Sequence, residues 1–101
     1  MLYTYYTNNG KFTTDYYNGI PFLKLIDNDF SIFDEEGTKE WYEKGKKYRL
    51  DGPAVIWYDG EEEWRIKGKR INTNQVEKWI KDNNINLKNK KHQVLFMKKF
   101  G

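Results

Sequence analysis

A ten-residue stretch occurs twice in this chain. Gly37-Thr38-Lys39-Glu40-Trp41-Tyr42-Glu43-Lys44-Gly45-Lys46 aligns, at an offset of 23, with Gly60-Glu61-Glu62-Glu63-Trp64-Arg65-Ile66-Lys67-Gly68-Lys69. Six of the ten positions are identical: both glycines, Glu, Trp and both lysines. Self-similarity at a fixed period marks a chain assembled from small units that stack on one another. A weaker third copy lies upstream in Asn9-Gly10 and Tyr16-Tyr17-Asn18-Gly19, where the glycines stand nine apart and an extra residue such as a β-bulge must be absorbed.

The turn at the head of each unit sets its physics. Asp59-Gly60 is a strong short hairpin signal, because a type I′ turn needs φ > 0 at both central residues. A two-residue turn there pairs Tyr58 with Glu61, Trp57 with Glu62, Ile56 with Glu63 and Val55 with Trp64. Opposed residues share a face, so Val55, Trp57, Trp64 and Ile66 are expected to fall together. The same rule at Glu36-Gly37 places Phe30, Ile32 and Trp41 on the equivalent face. The expected core therefore contains Trp41, Trp57 and Trp64, with Trp79 added from the helix described below. Lys44-Gly45-Lys46 and Lys67-Gly68-Lys69 read as the second turn of each unit, with Gly supplying a left-handed conformation.

Leu50-Asp51-Gly52-Pro53 and Gly19-Ile20-Pro21 each lead into a further strand, with Pro where a missing N–H does least harm. Residues 2–7 and 12–17 around Asn8-Asn9-Gly10 form another hairpin, and Phe22-Leu23-Lys24-Leu25-Ile26 another strand. Then the period changes. Val76, Trp79 and Ile80 are spaced i, i+3, i+4, and Asn74-x-x-Glu77 resembles a capping box, which predicts a helix over about 74–83. Gln93-Val94-Leu95-Phe96-Met97-Lys98-Lys99-Phe100 reads as a final edge strand whose lysines discourage further pairing. The fold class expected is mainly β (α+β): an antiparallel β-meander of repeated hairpins, one C-terminal helix and a final edge strand. All of it forms one domain, with the meander over 1–71 and the helix and last strand over 72–101.

The run Gly45-Lys46-Lys47-Tyr48-Arg49-Leu50-Asp51-Gly52-Pro53-Ala54-Val55-Ile56, followed by Asp59-Gly60 and Glu63-Trp64, resembles the MORN-variant repeat. The match covers about residues 30–71 and is close only from 45 to 69; the segment around Gly19 departs from it. The resemblance implies stacked hairpins, a binding role rather than a catalytic one, and an origin in phages or large DNA viruses. It names no ligand.

Composition narrows the chemistry. The chain has no Cys, which removes disulfides, thiolate metal sites and cysteine nucleophiles. Aromatics make up 18% against 38% hydrophobic residues in all, so the core must be built from a few large rings. No apolar run approaches the ~18 residues of a membrane span, no signal-peptide core follows Met1, and Asn-x-Ser/Thr is absent. The expected setting is the cytoplasm of a host cell. His92, the only histidine, lacks partners for a triad or a zinc site. Asp27-Asn28-Asp29 fails as a calcium loop, since Ile32 and Thr38 stand where Gly and Glu are needed. The acidic side chains cluster at hairpin tips rather than across a cleft where two carboxyls could flank a glycosidic bond. No phosphate-binding glycine loop exists. No enzyme activity, metal or cofactor is expected.

Charge is divided along the chain. Residues 27–63 hold 12 acidic and 5 basic side chains, and residues 64–101 hold 11 basic and 2 acidic ones. Two binding readings follow. In the first, the acidic hairpins present carboxylates like a row of phosphates to a basic channel on a host or phage protein. Tyr42, Tyr58, Asp59, Glu61, Glu62, Glu63 and Arg65 would form the contact, with aromatic and Arg anchors typical of interface hot spots. Such a protein would inhibit a host defence effector, a CRISPR effector among them. In the second, Arg65, Lys67, Lys69, Arg70, Lys88, Lys90 and Lys91 contact nucleic-acid phosphates directly, and about six such contacts would give a salt slope of about −5. No amphipathic basic helix points to a membrane. An exposed edge at Leu95 and Met97 is expected to support a homodimer by strand addition.

Overall fold

The structure, a computed structural model, describes residues 1–15 and 29–101. The expected third repeat copy at Tyr16-Gly19 and the expected strand from Phe22 to Ile26 lie outside the described residues. Among the described residues, eight short strands form one antiparallel sheet: β1 (Tyr3–Thr7), β2 (Gly10–Thr14), β3 (Phe30–Asp34), β4 (Lys39–Glu43), β5 (Lys46–Lys47), β6 (Val55–Ile56), β7 (Glu62–Ile66) and β8 (Lys69–Ile71). Their order is β2-β1-β3-β4-β6-β7-β8, with β5 paired to β4. Helices α1 (Thr73–Asp82) and α2 (Lys90–Phe100) follow. The mainly β, hairpin-built architecture read from the repeat is the one observed.

The hairpin turns differ from expectation in one systematic respect. Gly37 and Gly60 close three-residue loops, not two-residue ones. Gly37 N donates to Asp34 O at 3.2 Å and Asp34 N to Thr38 O at 3.0 Å. Gly60 N likewise donates to Trp57 O at 2.9 Å, and Trp57 N to Glu61 O at 2.8 Å. Both glycines sit at positive φ, +103° and +91°, as the last residue of such a loop must. The type I′ geometry belongs instead to Lys44-Gly45 (φ 52° and 74°) and Lys67-Gly68 (φ 53° and 83°). There the pairs Glu43↔Lys46 and Ile66↔Lys69 leave two loop residues each.

One extra loop residue shifts the register by one and exchanges the faces. Phe30 stands opposite Tyr42 and Ile32 opposite Glu40, so Trp41 faces the other way, opposite Ser31. Val55 stands opposite Glu63 rather than Trp64. Val55 and Trp57 therefore lie on the face away from Trp64 and Ile66. The expectation of a core holding all the tryptophans is corrected accordingly: Trp64 is buried, Trp41 and Trp79 are half-buried, and Trp57 is exposed.

The sheet thus has an apolar cluster on each face. On one, Trp64, Ile66 and Ile71 pack against Val76, Leu87 and Phe96. Phe96 is fully buried, edge-on to Trp64 at 5.5 Å and 86°, and touches Trp79 and Phe100. On the other, Tyr5, Phe30, Ile32 and Tyr42 cluster, with Phe30 and Tyr42 stacked at 4.8 Å. The buried Glu40 carboxylate accepts from Tyr42 Oη and pairs with Lys47 Nζ at 3.5 Å, which satisfies it there.

The N-cap of α1 is Asn72, two residues before the expected start, with its side chain accepting from Gln75 N. The larger correction is at the C-terminus. Residues expected as a final edge strand form α2, N-capped by Asn89 accepting from Lys91 N at 2.8 Å. Gln93, Phe96, Met97 and Phe100, spaced i, i+3, i+4, i+7, are its more sheltered residues, and Leu, Met, Gln and Lys are all good helix formers. Leu95 and Met97 therefore offer no strand edge, and dimerisation by strand addition there loses its basis.

Candidate docking hairpin

The β6–β7 hairpin lifts four side chains out of the sheet: Trp57, Tyr58, Asp59 and Glu61. Its backbone is held from several sides. Besides the loop bonds already given, Asp59 Oδ1 accepts from Glu61 N at 3.1 Å. Tyr58 N donates to Thr38 Oγ1 at 3.1 Å, tying this tip to the neighbouring β3–β4 loop, where Glu35 and Glu36 are exposed. Tyr58 is 66% exposed, more than any other large hydrophobic side chain among the described residues, and Trp57 is 38% exposed. Asp59 and Glu61 form no ion pair among the described residues. Two exposed rings thus stand beside two carboxylates that form no ion pair among the described residues, on a backbone with little freedom to lose.

Behind the tip stands a support. Trp57 Nε1 donates to Glu63 Oε2 at 2.8 Å, while Arg65 Nε and Nη2 both donate to Glu63 Oε1 at 3.1 and 2.9 Å. Arg65 Nη1 donates to Gly68 O at 2.9 Å, so the guanidinium also braces the β7–β8 turn. Burial pushes the Glu63 carboxyl up, but the hydrogen bonds from Arg65 and Trp57 and the charges of Arg65 and Lys47 prevail and hold it below its ordinary value.

Of the seven residues expected to meet a partner, Tyr58, Asp59 and Glu61 come together at the tip. Glu62 is half-buried on the Trp64 face of β7. Glu63 and Arg65 spend their polar atoms on each other and on their surroundings, and act as scaffold. Tyr42 does not join the tip: it is buried and stacked on Phe30 of β3. Trp57 is the member that sequence reasoning missed. The available signal was the Asp-Gly pair itself, which suits a three-residue loop as well as a two-residue one.

The side chains expected to contact phosphates are carried by several elements. Lys67 and Lys69 flank the β7–β8 turn, Arg70 lies on the β8 edge, and Lys88 pairs with Asp51 at 3.7 Å between the helices and the sheet. Lys90 and Lys91 open α2. His92 Nδ1 accepts from Asn86 N at 2.8 Å, which fixes the loop between the helices. Among the described residues no group of three or more His, Asp or Glu side chains is arranged to hold a metal. Among the described residues no helix is long and apolar enough to cross a membrane. No protein-family model matches the chain, and neither does any curated protein or solved structure.

Proposed function

We propose that this chain is a non-enzymatic protein-binding module whose contact is the β6–β7 tip, with Tyr58 and Trp57 as anchors and Asp59 and Glu61 as charge complements. The observation that carries this reading is the exposure of both rings on a tip fixed by hydrogen bonds at Trp57, Tyr58, Gly60 and Glu61. A surface of that kind suits a partner with a basic, partly apolar groove, such as the nucleic-acid channel of another protein. In the setting the repeat resemblance implies, an inhibitor of a host defence effector would act in this way. Site-specific photo-crosslinking tests the reading. A benzophenone amino acid at Tyr58 is expected to trap a partner from host cytosol, and the same probe at Asn74 is not. Capture should vanish on Asp59→Lys with Glu61→Lys. Equal capture from both positions overturns the tip as the contact.

A further inference from the structure

Three pairs of consecutive large apolar residues are exposed among the described residues: Met1-Leu2 and two others whose surroundings carry opposite charge. One is Trp57-Tyr58, beside Asp59 and Glu61. The other is Val94-Leu95 on α2, 46% and 48% exposed. Around this second pair lie Lys90, Lys91, Lys98 and Lys99, all exposed and without an ion pair among the described residues. Lys91, Val94, Leu95 and Lys98 are spaced i, i+3, i+4, i+7, so the helix turns an apolar step framed by cations outward. Beside it a groove of about 490 Å³ opens between the helices, lined by Trp79, Asn83, Ile85, Leu95, Lys98 and Lys99 among others.

We infer that this groove receives the β6–β7 tip of a second copy of the chain. The inference rests on the reading of the tip as a docking element and names one occupant for it. The Tyr58 ring would enter between Trp79 and Leu95, and Asp59 and Glu61 would meet Lys98 and Lys99. Burying the ring excludes water from the carboxylate–ammonium pairs and strengthens them. The same charges choose the geometry. A symmetric contact of α2 with α2 sets lysines against lysines, and a contact of tip with tip sets carboxylates against carboxylates; both are repelled. Only tip into groove is complementary. Each copy carries one tip and one groove, so the copies close into a ring or extend as an open chain according to the rotation between them.

Sedimentation of the full chain tests this with two variants altered only at exposed side chains: Asp59→Lys with Glu61→Lys, and Lys98→Glu with Lys99→Glu. Wild type at low salt is expected to gain mass with concentration, to a closed ring or an open chain. It should return to monomer at about 1 M salt, where the screening length falls to about 3 Å. Each variant alone stays monomeric. In an equimolar mixture the intact tip of one variant meets the intact groove of the other, and the reversed tip of the first kind meets the reversed groove of the second, so association to the wild-type extent is expected to return. Wild type that remains monomeric up to about 1 mM, where any contact tighter than about 4 kcal/mol would show, overturns the inference. So does either variant associating as wild type does. Crosslinking of a foreign partner at Tyr58 would survive both of those failures, which separates this inference from the broader reading of the tip.

Discussion

The guanidinium carbon of Arg49 stands 3.8 Å from the centre of the Trp41 ring, and Gly52 is the residue that leaves it room. A Cβ at position 52 would come within 3.0 Å of Arg49 Cζ and 3.2 Å of both terminal nitrogens. Two hydrogen bonds hold the guanidinium where it is. Its Nε donates to Asp51 Oδ1 at 2.7 Å and its Nη1 to Pro53 O at 3.1 Å. This small lock holds residues 48–54 beside β4, between the segments β5 and β6 that pair with its two ends. It gives a physical reason for Arg49, Asp51, Gly52 and Pro53 to stand together in this chain.

Gly52→Ala is therefore expected to cost about 1–3 kcal/mol, the range for overpacking a filled site. Chemical denaturation measures it. The cost should largely disappear in an Arg49→Ala background, where the added methyl meets no guanidinium. A double-mutant cycle with no coupling between the two positions would refute the lock.

Lys67 occupies the first position of a type I′ turn at φ 53°, a conformation that lysine disfavours and asparagine tolerates. Lys67→Asn creates the Asn-Gly pair preferred there and should raise stability by about 0.5–1 kcal/mol. Gly60→Ala should do the reverse by about 1–2 kcal/mol, from backbone strain alone, because an added Cβ at Gly60 meets nothing within 4 Å. Denaturant midpoints of the two variants should move in opposite directions.

These turns also show what could be read from the sequence and what could not. That Gly37, Gly45, Gly60 and Gly68 sit in chain reversals was legible, because so few residues adopt positive φ. The loop length was not: Asp-Gly satisfies a two-residue and a three-residue loop about equally, and the choice decides which face every following side chain takes. That single residue moved Tyr42 into the interior and brought Trp57 out. Val94-Leu95-Phe96-Met97 posed a related ambiguity, since a short continuous apolar run fits a strand or a buried helix. The sheltered set Gln93, Phe96, Met97 and Phe100 has helical spacing, but Val94 and Leu95 mask it by being apolar and exposed. Tyr58, Asp59 and Glu61 were legible as a tip because they flank the turn glycine. The engagement of Glu63 by Arg65 was not, since it depends on two side chains of one strand face closing on each other.

Acid should loosen the support behind the tip and the Arg49 lock together. Burial pushes the Asp51 carboxyl up, but the hydrogen bond from Arg49 and the charges of Arg49 and Lys88 outweigh it, so its pKa, like that of Glu63, is lowered in the folded protein. A carboxyl lowered on folding contributes stability that is fully present above its unfolded pKa of about 4, and loses it as the pH falls through the folded value. The contribution of these two groups is thus constant near neutrality and declines below about pH 4. Glu63→Gln should be less stable than wild type at pH 7 and should converge on it in acid. Parallel acid limbs for the two proteins would show that Glu63 carries no linked proton.

Phe96 is where the helices are fastened to the sheet. It is fully buried and contacts Trp64, Trp79 and Phe100. Phe96→Ala removes a ring from the meeting point of β7, α1 and α2, and should cost about 3–5 kcal/mol. Leu95→Ala, one residue earlier but facing water, should stay within about 0.5 kcal/mol of wild type. The contrast discriminates a helix from a strand in a way that neither variant does alone. On a final edge strand, Leu95 and Met97 would share one face and Phe96 the other, so Met97→Ala would group with Leu95→Ala. On α2, Met97 is partly buried against the Phe96 cluster and accepts a hydrogen bond from Tyr48 Oη through its sulfur at 3.2 Å. Met97→Ala is accordingly expected to group with Phe96→Ala, at the lower end of the about 2–5 kcal/mol typical of buried methionine truncation.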